Sequence, residues 1–342
     1  MQLDILSVAA KIKYSLIYII IVSIDPLNKP LTLINMLKNI AKRLYDLIPF
    51  KKIFFLILKN IYLPSQKIYQ HLHFKGVFNV FSGTNTFKIY HTGTVIENQL
   101  FWCGLDGYEP NSLKLWARLS RDAETIFDLG ANSGVYSLIS KSENLTANVY
   151  AFECVNRVFD VLNKNINLNN YDISCFNQAI SNQNGIGYFI DDYEDFSSSV
   201  IINMGLDDVA KGRGVDISEL HKVETKLITL DTFIENNNIQ GIDLIKMDVE
   251  THEPQVLEGF QKHLKAFQPT FLIEIIRDHV ALSLENQFAD LNYIFFYINE
   301  PFGSIERMVE GEIYQKVDSL IGKPYGNYLI CSPEKASELK LI

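Results

Sequence analysis

Residues 246–253 read KMDVETHE, so Lys246, Asp248, Glu250, His252 and Glu253 fall within eight positions. Carboxylates and imidazole are side chains that take a proton from a hydroxyl, which makes Asp248, Glu250 and His252 the candidate bases. Each residue also has a plainer reading. Asp248 can tie down a turn, Glu253 can serve the dipole of a helix opening near Pro254, and Lys246 can be the buried partner of either. Two or three carboxylates this close can also hold Mg2+, which takes one or two carboxylates with waters and substrate. Downstream, Glu274 closes the apolar run TFLIEI and His279 follows it, so each is either turned to a reacting group or solvated.

A second constellation, TIFDLGANSGVY (125–136), joins an apolar run to Gly130 and Gly134. Glycine lets a ligand approach the backbone with no Cβ in the way. A dinucleotide fingerprint needs G-x-G-x-x-G to admit a pyrophosphate, but Asn132 holds the second glycine's place and Val135 the third's. A phosphate loop of the Walker type fits less well, because no Gly-Lys-Ser/Thr follows. Glu153 ends the next apolar run, 23 positions after Gly130, where an acidic side chain can accept from ribose hydroxyls. Asp128, beneath the turn, favours a cationic group and opposes phosphates. S-adenosylmethionine (SAM) carries an adenosine, an ammonium and a sulfonium, and satisfies these constraints better than NAD or ATP.

The elements that position these residues follow from the alternation of short apolar runs with helical patterns. The runs are TIFDL (125–129), NVYAFE (148–153), ISCFNQAI (173–180), IDLIKMDVE (242–250), TFLIEI (270–275), and a last pair near YIFFYIN and NYLIC. Between them lie a helix from about 134, VFDVLNKNINLN and PQVLEGFQKHLKAF. This pattern predicts a doubly wound α/β domain with a mostly parallel sheet, whose ligands bind at the carboxyl ends of the strands. A small antiparallel β-preamble turning at Ser82–Asn85 precedes it, then a helix with Pro110 near its start. Tyr108 and Glu109, just before that helix, are placed to close over the methionine end of the cofactor. The acidic insert 191–222, with Ser197 to Ser199, reads as a substrate lid or a surface loop.

With 342 residues and 47% apolar content the chain can form one full domain and an appendage. Residues 1–75 hold ten Lys, one Arg, three Asp and no Glu, a net +8, so the total of −9 leaves −17 on the rest. The expected boundaries are a basic, apolar helical arm over 1–75 and a domain over 76–342, with the preamble at 76–120 and the core at 121–332. An acidic body excludes a surface that tracks nucleic acid. The longest apolar run in the arm, Tyr14–Ile24, has 11 residues, whereas a span takes roughly 20. Leu33, Leu37, Ile40, Leu44 and Ile48 recur at helical spacing, with Lys38, Lys42 and Arg43 elsewhere on the wheel. That amphipathic helix either packs on the body or contacts a membrane peripherally. Four widely spaced cysteines without a C-x-x-C pair suit a reducing, cytoplasmic compartment.

In order, IFDLGANSGVYSL, VYAFECVNRVFDVLNKNINLNN, NQAISNQNG, LITLDTFI and IDLIKMDVETHEPQVLEGF resemble the successive motifs of the FkbM family of SAM-dependent methyltransferases. The resemblance spans about residues 76–332, and Lys246, Asp248, Glu250 and Glu253 form its most specific piece. It implies a class I methyltransferase-like, seven-stranded sheet and O-methylation of a hydroxyl on a sugar, glycan or secondary-metabolite acceptor. By the same resemblance Asp128, Gly130, Asn132 and Gly134 cradle the amino-acid part of SAM, Glu153 holds the ribose, and Ala179 to Ser181 border the adenine. Asp248, Glu250, Lys246, His252 and Glu274 are then the catalytic candidates. Two positions depart from the family: Cys154 stands where proline is usual, and Thr251 where glycine is usual. The second puts strain on the chain after Glu250, because a non-glycine residue resists positive φ. The rival readings are a Rossmann-type NAD-dependent oxidoreductase and a degenerate, membrane-docked binding module.

Overall fold

The computed structural model describes residues 50–190, 222–301 and 310–342. The chain divides into two compact units, Met1–Gly76 with His91–Trp102, and Val77–Tyr90 with Cys103–Ile342. The apolar run at 14–24, the helix expected over 33–48 and all but the last residue of the 191–222 insert lie outside the described residues.

In the first unit, helices α1 (Lys51–Ile61) and α2 (Gln66–Tyr69) meet the residues of a further helix over 95–102. Phe55 packs on Trp102 with ring centroids 5.6 Å apart, and Phe74 meets Phe101 edge-on at 4.7 Å. Two buried side chains donate to main-chain carbonyls at the end of α2 and just beyond it: Trp102 Nε1 to Leu72 O (3.0 Å) and Asn98 Nδ2 to Tyr69 O (2.8 Å).

In the second unit the expected preamble is a two-stranded hairpin, β1 (Gly76–Phe81) and β2 (Thr86–His91). Side chains of two later helices anchor it. Glu143 accepts from Ser82 Oγ (2.5 Å) and Thr84 N (3.1 Å), while Asn165 and Asn169 accept from the backbone N–H groups of Tyr90 and Lys88. After α3 (Val95–Cys103), the helix that the first unit holds up to Trp102, and α4 (Pro110–Ser120), β and α alternate through β3 (Thr125–Leu129), α5 (Val135–Glu143), β4 (Asn148–Phe152), α6 (Asn156–Asn169) and β5 (Ile173–Phe176). Then come β6 (Ala179–Ile180), β7 (Gly185–Ile190), β8 (Lys222–Ile228), α7 (Leu230–Asn237), β9 (Leu244–Met247), α8 (Glu253–Glu258), α9 (Gln261–Phe267), β10 (Thr270–Ile275) and α10 (Asp278–Phe288). The chain closes with β11 (Ile294–Ile298), α11 (Glu310–Ile313), β12 (Tyr314–Val317), β13 (Gly326–Cys331) and α12 (Pro333–Glu338).

The main sheet has eight strands, in the order β12-β11-β13-β10-β9-β3-β4-β5. From β10 to β5 neighbouring strands are parallel, and β13, β11 and β12 add antiparallel pairs. The doubly wound expectation therefore holds, with one strand more than seven. The extra strand, β12, pairs Tyr314–Val317 with Phe295–Ile298 and extends the sheet edge. Two elements break where one was expected. ISCFNQAI splits at Asn177, whose amide donates to the carbonyls of Glu153 (2.9 Å) and Cys154 (3.3 Å), so β6 leaves for a separate three-stranded sheet with β8 and β7. The helix after Pro254 divides at Gly259, where an added Cβ would stand 2.1 Å from Ser181 O.

The core beneath the site is aromatic. Phe127, Phe152 and Phe176 stack across β3, β4 and β5, and Phe233 from α7 meets Phe152 at 4.9 Å. Strand order reverses between β3 and β9, with β4 and β5 on one side and β10 on the other. Loops leaving β3 and β9 at their carboxyl ends therefore diverge there and leave a crevice.

Candidate functional site

The loop after β3 is fixed by its own backbone. The N–H groups of Gly130 and Ala131 both donate to Phe152 O, at 3.0 and 2.9 Å. Gly130 has φ +79°, and a Cβ there would lie 1.9 Å from the carbonyl oxygen of Asp248, so the loops after β3 and β9 touch at a point only glycine allows. Asn132 takes φ 51° and bonds its own side-chain oxygen to Ser133 N (2.7 Å). Gly134, φ +87°, caps α5, and a Cβ on it would meet Leu162 Cδ1 at 2.6 Å.

Two predicted carboxylates hold this loop in place. Asp128 is buried and accepts from both the N–H (3.0 Å) and the hydroxyl (2.5 Å) of Ser137 in the first turn of α5. Burial pushes it up to about 6. Glu153, also buried, accepts from Asn132 N (3.0 Å) and Val155 N (2.8 Å), and burial drives it up to about 7 against the pull of those bonds. Close by in sequence, the hydroxyl of Ser133 is buried with no partner among the described residues. A backbone free of Cβ, a buried acidic side chain at the end of β4 and an unspent hydroxyl suit a nucleoside-bearing cation such as SAM.

The second group lies across the crevice. Parallel register sets Asp128 beside Lys246 and Lys246 beside Leu272, so Asp248 and Glu274, each two residues on, share their face. Lys246 is 1% exposed. Its ammonium stands 3.4 Å from Asp248 Oδ2 and 3.2 Å from Asn327 Oδ1, and 5.0 Å from the centre of the Tyr136 ring. Burial alone would lower its pKa, but Asp248, Glu109, Glu274 and Asp128 together hold it above the usual lysine value. Burial, then the neighbouring Asp248, raises Glu274 well out of the carboxylate range, so at neutral pH it carries a proton and bonds to Asp248.

Tyr108 and Glu109 reach the same group. Glu109 is the N-cap residue of α4 with φ 38°, yet its side chain makes no cap. Glu300, after β11, does that instead, accepting from Asn111 N (2.9 Å) and Ser112 N (2.8 Å). Relieved of capping, Glu109 accepts from Tyr136 OH at 2.5 Å, and burial, offset in part by Lys246, raises its pKa. Tyr108 also bonds to Glu109 and is held well above the usual tyrosine value, first by burial and then by that carboxylate.

The remaining candidates fall elsewhere. His252 is buried, its Nε2 is 2.9 Å from Ser181 Oγ, and burial lowers it to about 4, so it is neutral. Ser181 is thereby tied to the start of α8, and Ala179 sits in an apolar cluster with Cys154, Val155, Phe189 and Leu227. Glu250 (φ 54°) and Thr251 (φ 74°) both take the left-handed conformation, so the turn is made despite the missing glycine. Burial, and then Asp248, pushes Glu250 up to about 7. Glu253 accepts from Val249 N (3.2 Å), and its other oxygen is buried without a partner among the described residues. His279 is exposed at the start of α10. The Mg2+ reading gains no support: an ammonium stands at Asp248, and no three His, Cys, Asp or Glu side chains among the described residues are grouped to share a metal ion.

Tyr136 and Asn327 had not been anticipated. Asn327 lies on β13, opposite Glu274 in the antiparallel register, and only that pairing brings it to Lys246. Tyr136 ends the glycine motif, where its ring could be taken for core.

Strand order and crevice define a class I methyltransferase-like fold. Residues 128–297 match the methyltransferase FkbM domain, and the chain belongs to that family. Over 158 residues it is 25% identical to the hexuronic acid methyltransferase AglP of Haloferax volcanii, covering 46% of this chain. It spans 59% of the length of AglP. Similar solved structures include methyltransferase FkbM from Methylobacillus flagellatus (13% identity, 61% of this chain, 44% of that one, TM-score 0.38). Another is a SAM-dependent O-methyltransferase from Thermotoga maritima (13% identity, 75% and 78% covered, TM-score 0.36).

Proposed function

We propose that this protein is a SAM-dependent methyltransferase acting on a hydroxyl of a small-molecule or glycan acceptor, such as a sugar or a secondary metabolite. One observation carries the reading: the Gly130 loop and Asp248 meet at the switch point, putting a cradle of backbone and carboxylate beside a group of acid–base side chains. SAM, when bound, supplies an electrophilic methyl on a sulfonium.

Gly130, Asn132 and Gly134 leave the backbone open to the amino-acid part of that cofactor, and Asp128 fixes the helix end behind them. Glu153 has an acceptor lone pair left on each oxygen for ribose hydroxyls. Asp248 is the base: it accepts the proton of the acceptor hydroxyl, and the Lys246 ammonium beside it stabilises its negative charge until then. Glu274, already protonated, donates to Asp248 and orients it. Glu109, aligned by Tyr136, offers a second acceptor that turns the substrate hydroxyl towards the crevice. His252 positions the start of α8 through Ser181. Sugar hydroxyls suit a wall of carboxylates, phenols and an amide, all of which bond to neutral polyols.

Calorimetric titration of the folded protein with SAM tests the first half. Glu153→Ala is expected to weaken binding about tenfold or more, the loss of a charge-assisted hydrogen bond. Undiminished binding by that variant would remove the ribose contact, and no binding by the wild type would remove the cofactor. Mass spectrometry of glycans incubated with the protein, searching for a gain of one methylene, tests the acceptor.

A further inference from the structure

Helix α1 is apolar on two sides. One side is used: Phe55 is buried against Trp102, and the Lys59 ammonium donates to Phe101 O. On the other, Ile53, Leu56, Ile57 and Ile61 follow each other at the spacing of one helical stripe, and all four are exposed, Ile57 by 56% and Ile61 by 79%. Phe50 before the helix and Tyr62 and Leu63 after it are exposed as well. A helix apolar all round is one that something covers, and a contiguous exposed patch of this kind marks an interaction surface.

Charge identifies the occupant. From Phe50 to Ile96 the sequence has six Lys and neither Asp nor Glu, in a chain whose net charge is −9. Lys51 and Lys52 directly precede the stripe. Eleven residues make a helix about 16 Å long, half of a bilayer core, so α1 cannot cross one. An apolar stripe with lysines at its start and an aromatic at each end is the pattern of a helix lying in the plane of a membrane interface.

We infer that α1 is a docking surface for an anionic lipid membrane, with Ile53, Leu56, Ile57 and Ile61 entering the boundary between headgroups and acyl chains and the basic charge at the start of the helix meeting lipid phosphates. This gives a defined surface to the peripheral contact expected of the basic arm, and it does not depend on the methyl-transfer reading.

The test is sedimentation of the full chain with vesicles of phosphatidylcholine alone and of phosphatidylcholine mixed equally with phosphatidylglycerol. Binding is expected to the mixed vesicles, weaker to the neutral ones, and reduced by salt. Ile57→Asp and Ile61→Asp are each expected to lower the affinity about tenfold or more, the loss of one buried isoleucine. Circular dichroism and SAM titration of the same variants report folding and the cofactor site separately, so failure of one proposal does not imitate failure of the other. Lipid binding unchanged in both variants, or no binding to mixed vesicles by the wild type, would overturn the inference. So would light scattering that shows a dimer dissolved by either substitution, since a second copy then covers the stripe.

Discussion

The two halves of the crevice are built by different means. In the loop after β3 the backbone does most of the work: two N–H groups share one carbonyl, and each oxygen of Glu153 accepts one backbone N–H. Across from it, side chains hold side chains. Glu109 bonds to Tyr136, Lys246 to Asp248 and Asn327, and Glu274 to Asp248. The first arrangement has its backbone path set by covalent geometry and glycine. The second has as many states as it has protons to place, which suits a group that must receive one.

The largest effect that could break this contrast comes from Gly130→Ala. The new methyl would sit 1.9 Å from a main-chain oxygen at a φ of +79°, so the β3 and β9 loops must part. Loss of SAM binding in a calorimetric titration is expected, along with a lower melting temperature. Gly241→Ala is the control, since nothing lies within 4 Å of its added Cβ. A Gly130→Ala protein that bound SAM like the wild type would show that the loop is not set by backbone contact.

Asp248→Asn addresses the other half. It keeps the shape and removes the acceptor of the proton, so methyl transfer is expected to fall about 10²–10⁴-fold while SAM binding changes little. Equal losses in binding and turnover would mean that the two halves act as one.

The same contrast decides what the sequence could show. TIFDL and TFLIEI predicted strands whose ends match the structure, because a buried parallel strand is a continuous apolar run bounded by turns. The glycine turn was equally legible, being local. Lys246, Asp248, Glu274 and Glu109 could be picked out as chemistry-bearing types, but Tyr136 and Asn327, which complete the group, could not. Glu109, Tyr136 and Asn327 arrive from other segments, and Asn327 only through an antiparallel strand pairing. The release of Glu109 from capping depends on Glu300, nearly two hundred positions on, which no local pattern reveals. Nor did helical periodicity show the break at Gly259, which answers to the carbonyl of Ser181.

A smaller effect sharpens the proton argument. Glu253 is buried with one oxygen unpartnered among the described residues, and burial pushes it up to about 8, well above the ordinary glutamate range. A carboxyl whose folded pKa is raised binds its proton more tightly in the native state. Its contribution to stability is fully present below the unfolded value and is lost as pH rises through the folded one. The melting temperature of the wild type is therefore expected to fall as pH rises from about 5 to about 8 and to level off above that. Glu253→Gln, which keeps the bond from Val249 N and cannot ionise, should flatten that fall. An unchanged slope in the variant would place the proton elsewhere.

The smallest effect concerns the turn between the halves. Thr251 has φ 74°, a conformation that costs an ordinary L-residue about 1–2 kcal/mol and is especially poor for a β-branched side chain. Glycine would remove the strain but adds freedom to the unfolded chain, about 0.5–1 kcal/mol in the opposite direction. Thr251→Gly is therefore expected to stabilise the protein by up to about 1 kcal/mol, measured by urea unfolding, with turnover retained. Retained turnover would assign the strain to local history. Turnover lost together with a gain in stability would instead show that the strained turn, beside Glu250 and Asp248, holds the acid–base side chains in register, giving backbone a part in the half that side chains otherwise build.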